Sequence, residues 1–288
     1  MARTRVRTAL LVALSAALLL TAGCGNGNGN GNGNGNGNGN GTENDTGADG
    51  GSPAPHAAGG KEHKPVVVVT TTWEGAFAKA AGAEDLKVIV PQSVHHAPDY
   101  DPKPSDLAAV AGADFVLYAP FEPYAAKIKE AAGSKAKLVE VNLDNDTDKV
   151  GVEVARLGKL FGTEDAAARW KTGFDGEYAT LAKDVQAAAG GKNPNVVSQV
   201  FTAWAAKLAG ATTVGTYGPE PVTPAQLAEL SQKKPALVLD NAHMSTGTVL
   251  PDSGAKQIEI VNYPGADLDL LPVYRNAAAE LKKAMGAS

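Results

Sequence analysis

Thr163-Glu164-Asp165-Ala166-Ala167-Ala168-Arg169-Trp170-Lys171-Thr172-Gly173-Phe174-Asp175-Gly176-Glu177-Tyr178-Ala179-Thr180-Leu181-Ala182-Lys183-Asp184-Val185-Gln186-Ala187-Ala188-Ala189 contains no proline and is rich in Ala, Lys, Glu and Asp. Thr163 stands where a helix N-cap belongs, and Gly190-Gly191 supply a stop. At 1.5 Å per residue, a helix over 163–189 spans about 40 Å, the width of a domain and too long for a simple crossover. Gly173 and Gly176 each weaken it by about 1 kcal/mol relative to Ala. The stretch still predicts one continuous helix joining two lobes.

On either side, short β-branched runs alternate with Ala-rich helical segments. Before the helix, strands are expected at 66–70, 86–90, 114–118 and 137–141, with helices at 73–83, 105–112, 122–132 and 147–160. After it, strands are expected at 196–201, 212–216, 236–240 and 257–261, with helices at 203–209, 224–231 and 268–285. Strands separated by helices of this length imply parallel sheets covered on both faces. The fold class is therefore α/β: two Rossmann-like lobes, 65–162 and 190–288, joined by the helix at 163–189.

The amino terminus points to a location. Arg3, Arg5 and Arg7 precede an apolar run from Ala9 to Thr21, which ends in Leu20-Thr21-Ala22-Gly23-Cys24. A basic start, a short apolar core and small residues at the end describe a secretory signal over 1–23, not a membrane span. Cys24 is the only cysteine, so disulfides and cysteine-ligated metals are excluded. Gly-Asn repeats and a polar mixture follow to Lys64, a composition that predicts a disordered tether over 24–64. A flexible chain of that length reaches roughly 35 Å. Removing residues 1–23 takes away three Arg and no acid, which moves the formal charge from −5 to −8. That balance argues against nucleic acid as a partner and favours a cationic ligand.

One loop carries the chemistry. Val94-His95-His96-Ala97-Pro98-Asp99-Tyr100-Asp101-Pro102-Lys103-Pro104-Ser105-Asp106 sets two imidazoles among three carboxylates, and three prolines stiffen it. Ser105 reads as the N-cap of the next helix, so the loop runs from a strand end into a helix. Ligands of open α/β sheets bind at such places. In the second lobe, Asp240-Asn241-Ala242-His243 puts a carboxylate and an imidazole at another strand end, and Glu122 follows the strand at 114–118.

The chain also resembles the cluster A-I substrate-binding proteins of bacterial ABC importers, the zinc- and manganese-binding subunits of the ZnuA and TroA kind. The resemblance lies in Tyr100-Asp101-Pro102-Lys103-Pro104-Ser105-Asp106, in Ala113–Tyr118 leading into Phe121-Glu122-Pro123-Tyr124, and in Gly218–Leu227. The segment Leu20–Cys24 is similar to a bacterial lipobox, which implies that Cys24 is acylated and anchors the protein at the extracytoplasmic face of the cell membrane. The usual metal ligands do not carry over. Pro98 takes the place of the first His, with His96 four residues before Tyr100. Asn142–Asp146 lacks the second His, Ser198 or Gln199 replaces the third, and Asn262 stands for the final Asp.

The ligand set expected in their place is His96, Glu122 and His243, with His95 or Asp240 completing the shell or orienting a ligand from behind; Glu74 is a further candidate. Neutral imidazole plus carboxylate suits Zn²⁺, which takes three or four N or O ligands at about 2.0–2.2 Å, with Mn²⁺ as the other possibility. The structural alternatives are Glu122 at a helix start, Asp240 as a cap and His243 as a surface residue. The resemblance implies capture of a divalent metal and delivery to an importer permease in the membrane. A receptor for a metal chelate or cofactor of the siderophore or cobalamin type is an alternative, and an adhesin is another. An enzyme is not expected: the chain has no HExxH, no GxSxG and no phosphate-cradling Gly-Lys-Ser/Thr loop.

Overall fold

The computed structural model describes residues 64–94, 97–245 and 247–286. The expected signal, the acylated Cys24 and the tether through residue 63 lie outside the described residues, and so do His95 and His96.

Four consecutive valines form β1 (Val66–Val69), since β-branched side chains favour the extended backbone. β1 lies inside a parallel sheet ordered β2-β1-β3-β4, with β2 at Asp85–Val88, β3 at Phe115–Tyr118 and β4 at Lys137–Glu140. Successive side chains point to opposite faces. Val68 and Val116 accordingly enter one apolar cluster with Ile128, while Val67, Val69 and Leu117 enter another. The helices of this lobe are α1 (Thr72–Ala80), α2 (Pro104–Ala111), α3 (Ala125–Ala132) and α4 (Thr147–Phe161).

The connecting helix, α5, runs from Glu164 to Ala188. Thr163 precedes it, but its hydroxyl bonds the Ala81 carbonyl instead of capping α5. Gly190 and Gly191 end it with φ of 61° and 72°, a conformation that side chains with a Cβ rarely adopt.

The second lobe repeats the first. β5 (Asn195–Gln199), β6 (Thr212–Tyr217), β7 (Leu237–Asn241) and β8 (Lys256–Ile260) form a parallel sheet ordered β6-β5-β7-β8. Its helices are α6 (Ala203–Leu208), α7 (Pro224–Gln232) and α8 (Leu271–Met285). Two parallel four-stranded sheets joined by one long helix are the architecture expected from the sequence. No helix among the described residues is long and apolar enough to cross a membrane.

The core does not stop at the lobe boundary. One buried cluster contains Val67, Phe77 and Leu117 of the first lobe, Phe174 and Val185 of α5, and Trp204, Leu239 and Tyr274 of the second. Phe174 stacks on Trp170 at 4.8 Å and meets the Tyr274 ring edge-on at 5.0 Å. Edge-to-face aromatic pairs add about 0.5–1.5 kcal/mol beyond the area they bury.

The starts of α2, α3 and α8 differ from expectation, each for a local reason. The N-cap of α2 is Lys103, not Ser105, because Pro104 is preset for the first helical position and Asp106 reaches back to the Lys103 N–H at 2.9 Å. α3 begins at Ala125, because Glu122 sits in a turn closed by its own N–H on the Ala119 carbonyl. α8 begins at Leu271, after Leu268 at φ 54° and with Pro272 in the first turn.

Candidate functional site

In parallel sheets the strands end on one side, and the loops there gather in one place. β1 ends in Thr70-Thr71-Thr72, which opens α1 with a capping box: the Thr71 hydroxyl accepts from the Trp73 N–H at 3.2 Å, and Glu74 reaches back to the Thr71 N–H. Glu74 is fully buried. Its Oε2 accepts from the Thr71 N–H at 3.0 Å and from the Thr71 hydroxyl, whereas its Oε1 has no hydrogen-bond partner.

β3 is the next strand, and the chain beyond it turns at Glu122, which is 7% exposed. Glu122 Oε2 accepts from the Ala119 N–H at 3.1 Å and Oε1 from the Tyr124 hydroxyl at 3.0 Å. Burial, then the charge of Glu74, pushes the Glu122 carboxyl up to about 8. Burial raises Glu74 as well. No cation among the described residues contacts either carboxylate.

The second lobe meets this pair through Tyr263, which follows β8. Burial and the charges of Glu74 and Glu122 push its phenol up to about 12. The Tyr263 ring lies edge-on to Trp73 of the first lobe at 4.9 Å and to His243 at 4.8 Å. His243 is exposed, and its N–H donates to Asn241 Oδ1 at 3.0 Å.

Asp240 is held elsewhere. Its Oδ1 accepts from the Tyr217 hydroxyl at 2.6 Å and the Asn241 N–H at 2.9 Å, and its Oδ2 from the Gln257 amide at 3.1 Å. The structure thus brings Glu122 to Glu74 and sets His243 across Tyr263 from them. It keeps Asp240 within its own sheet. Among the described residues, no three His, Cys, Asp or Glu side chains stand close enough together to hold a metal.

The positions that the resemblance marks for ligands carry a neutral network. Trp73 Nε1 donates to Asn145 Oδ1 at 3.0 Å, and Asn145 Nδ2 donates to the Asn262 carbonyl at 3.0 Å. Trp204 Nε1 donates to Asn262 Oδ1 at 2.9 Å, and the Tyr274 hydroxyl to the Asn145 carbonyl at 2.7 Å. Ser198 bonds the Thr202 hydroxyl at 3.0 Å, and Gln199 Oε1 accepts from the Phe201 N–H at 2.7 Å. Two of these bonds, Asn145 to the Asn262 carbonyl and Tyr274 to the Asn145 carbonyl, cross between the lobes, where Lys207 also pairs with Asp146 and Asp148.

Sequence reasoning gave no role to Thr70 or Tyr263. Thr70 is one of three adjacent threonines at a strand end, a pattern that reads only as a helix start. Tyr263 is brought to Glu74 by the packing of the lobes, which no local pattern encodes.

No family model and no curated protein matches the sequence. Solved structures do match the fold. The laminin-binding protein Lbp of Streptococcus pyogenes aligns with a TM-score of 0.57 at 18% identity, over 77% of this chain and 98% of its own. The solute-binding protein FpvC of Pseudomonas aeruginosa, in complex with Ni²⁺, gives 0.59 at 15% identity, over 77% and 97%. AdcAII of Streptococcus pneumoniae gives 0.56 at 19% identity, over 76% and 99%. The chain therefore has the two-lobed fold of the ZnuA/TroA-like metal-binding solute-binding proteins.

Proposed function

We propose that this protein is an extracytoplasmic solute-binding lipoprotein. It captures a divalent transition metal, zinc or manganese, between its lobes and delivers it to the permease of an ABC importer. Acylated Cys24 holds it to the bilayer, the signal comprises 1–23, and 24–64 is the tether. The observation that carries the reading is Glu122: a buried carboxylate beside a second carboxylate, with only neutral donors, where the lobes meet. Neighbours of the same fold described in complex with Ni²⁺ and with Mn²⁺ support it. The ligands are His96, Glu122 and His243. An imidazole from the loop bearing His95 and His96 completes the shell, and Asp240 steadies the turn of His243 through its bond to the Asn241 N–H. The protein itself catalyses nothing; ATP hydrolysis belongs to the importer's cytoplasmic subunit.

Elemental analysis after purification without an affinity tag tests this, and about one divalent metal per chain is expected. Metal at a thousandfold excess over Kd should stabilise the fold by roughly 4 kcal/mol. His96→Ala and His243→Ala should each abolish most of the resulting rise in melting temperature. A metal-free protein that shows no such rise with either ion would overturn the reading.

One observation favours a second reading, a metal chelate as cargo. Phe121 of the first lobe and Phe201 and Met244 of the second are exposed just beyond strand ends, where an organic ligand would find apolar contacts. The ligand mass after gentle purification separates chelate from bare ion.

A further inference from the structure

We infer that Glu74 Oε1, the Glu122 carboxylate and the Thr70 hydroxyl form an oxygen-lined side of the metal site, which gives Mn²⁺ the advantage over Zn²⁺. This rests on the reading that the protein captures a divalent metal and adds which atoms select it. Three buried side-chain atoms among the described residues lack a hydrogen-bond partner, and two of them, Glu74 Oε1 and Thr70 Oγ1, lie here. Thr70 is fully buried and acts on both carboxylates, yet it meets neither in hydrogen-bond geometry. Buried polar atoms are nearly always paired, so two unpartnered oxygens four residues apart, where β1 leads into α1, mark a place fit for a ligand.

Geometry brings these oxygens together. Thr70 follows β1 directly, its N–H bonds the Leu117 carbonyl of the adjacent β3 at 3.1 Å, and Glu122 is pinned to Ala119 just beyond β3. The bonds already made leave room for a cation. Glu74 Oε2 is committed to Thr71, so Oε1 is the free oxygen. Each Glu122 oxygen accepts one bond and keeps a further lone pair. Carboxylate and hydroxyl oxygens suit Mg²⁺, Ca²⁺ and Mn²⁺, whereas Zn²⁺ gains most from imidazole and thiolate. The positive end of α1 opposes a cation here, but a helix terminus carries only about half a charge, against two carboxylates. The competing occupant is a proton shared between Glu74 and Glu122.

Calorimetric titration of the full chain, stripped by chelator, with MnCl₂ and ZnCl₂ decides between these occupants. Glu74→Gln keeps an oxygen for the Thr71 N–H, so α1 stays capped. It should weaken Mn²⁺ binding at least a hundredfold and Zn²⁺ binding less than tenfold, with the metal-free melting temperature unchanged or raised. Thr70→Val, nearly isosteric, should weaken Mn²⁺ about tenfold, and it carries the test should Glu74→Gln melt early. A Mn²⁺ affinity within threefold of wild type in both variants, or equal losses for the two metals, would overturn the inference and leave metal capture standing. A wild-type chain that binds neither ion would overturn metal capture and the inference with it.

Discussion

Asn145 shows how much one side chain contributes where the lobes meet. Its amide accepts from Trp73 and donates to Asn262, while its carbonyl accepts from Tyr274. Asn145→Leu preserves volume but orphans the Trp73 N–H and the Asn262 carbonyl, each at about 1–3 kcal/mol. Urea unfolding should show a loss of about 2–4 kcal/mol, and a loss below 0.5 kcal/mol would mean that water replaces the amide. Glu122 makes a second prediction, for the metal-free protein. Its folded carboxyl titrates at about 8 and its unfolded one near 4.5, so the unfolded chain gives up the proton first. Glu122 therefore contributes stability that is fully present below pH 4.5 and is lost as pH rises through about 8. Glu122→Gln should melt below or level with wild type at pH 4.5 and progressively above it towards pH 8.5, each kcal/mol appearing as about 2–4 °C. A difference that does not change with pH would refute the assignment. Little of this was legible beforehand. Thr71-x-x-Glu74 is a helix-start signature and hides the pairing of Glu74 with Glu122, which depends on β1 lying beside β3. Asp240 was expected to complete the shell or orient a ligand from behind; its side-chain partners Tyr217 and Gln257 come from β6 and β8, and strand order is not written in a local pattern.

At the scale of elements, periodicity was enough. The valines of β1, the short apolar runs of β5 and β7 and the uninterrupted run of α5 each announce their type. Boundaries moved by a few residues where a proline, a turn or a positive φ decided the start, as at Lys103, Ala125 and Leu271. The two glycines inside α5 remain a weak point. A Cβ built at Gly173 or Gly176 meets nothing within 4 Å. Gly173→Ala and Gly176→Ala should therefore each stabilise the protein by about 0.5–1 kcal/mol, measured as a rise in melting temperature of about 1–4 °C. A fall would show that α5 needs its glycines for a bend.

For the whole molecule, two sheets and one bridging helix share a core, and the proposed function depends on where that molecule is held. Cys24→Ser should move the protein from the membrane fraction to the soluble fraction, read by immunoblot after ultracentrifugation. Unchanged retention in the pellet would contradict anchoring by an acyl chain. The order of synthesis follows from the seam. β1 to β4 can pair as soon as residue 140 is made, but Thr72 donates to Pro264 across 192 positions and Asn145 accepts from Tyr274 across 129. A chain emerging from its amino terminus therefore completes the first sheet and its helices by residue 161, long before the contacts across the seam are made. Residues 262–264 meet the first lobe before the final helix is made, so a message truncated shortly before codon 274 would yield lobes already in contact but lacking the Tyr274 bond to Asn145 and its packing on Phe174.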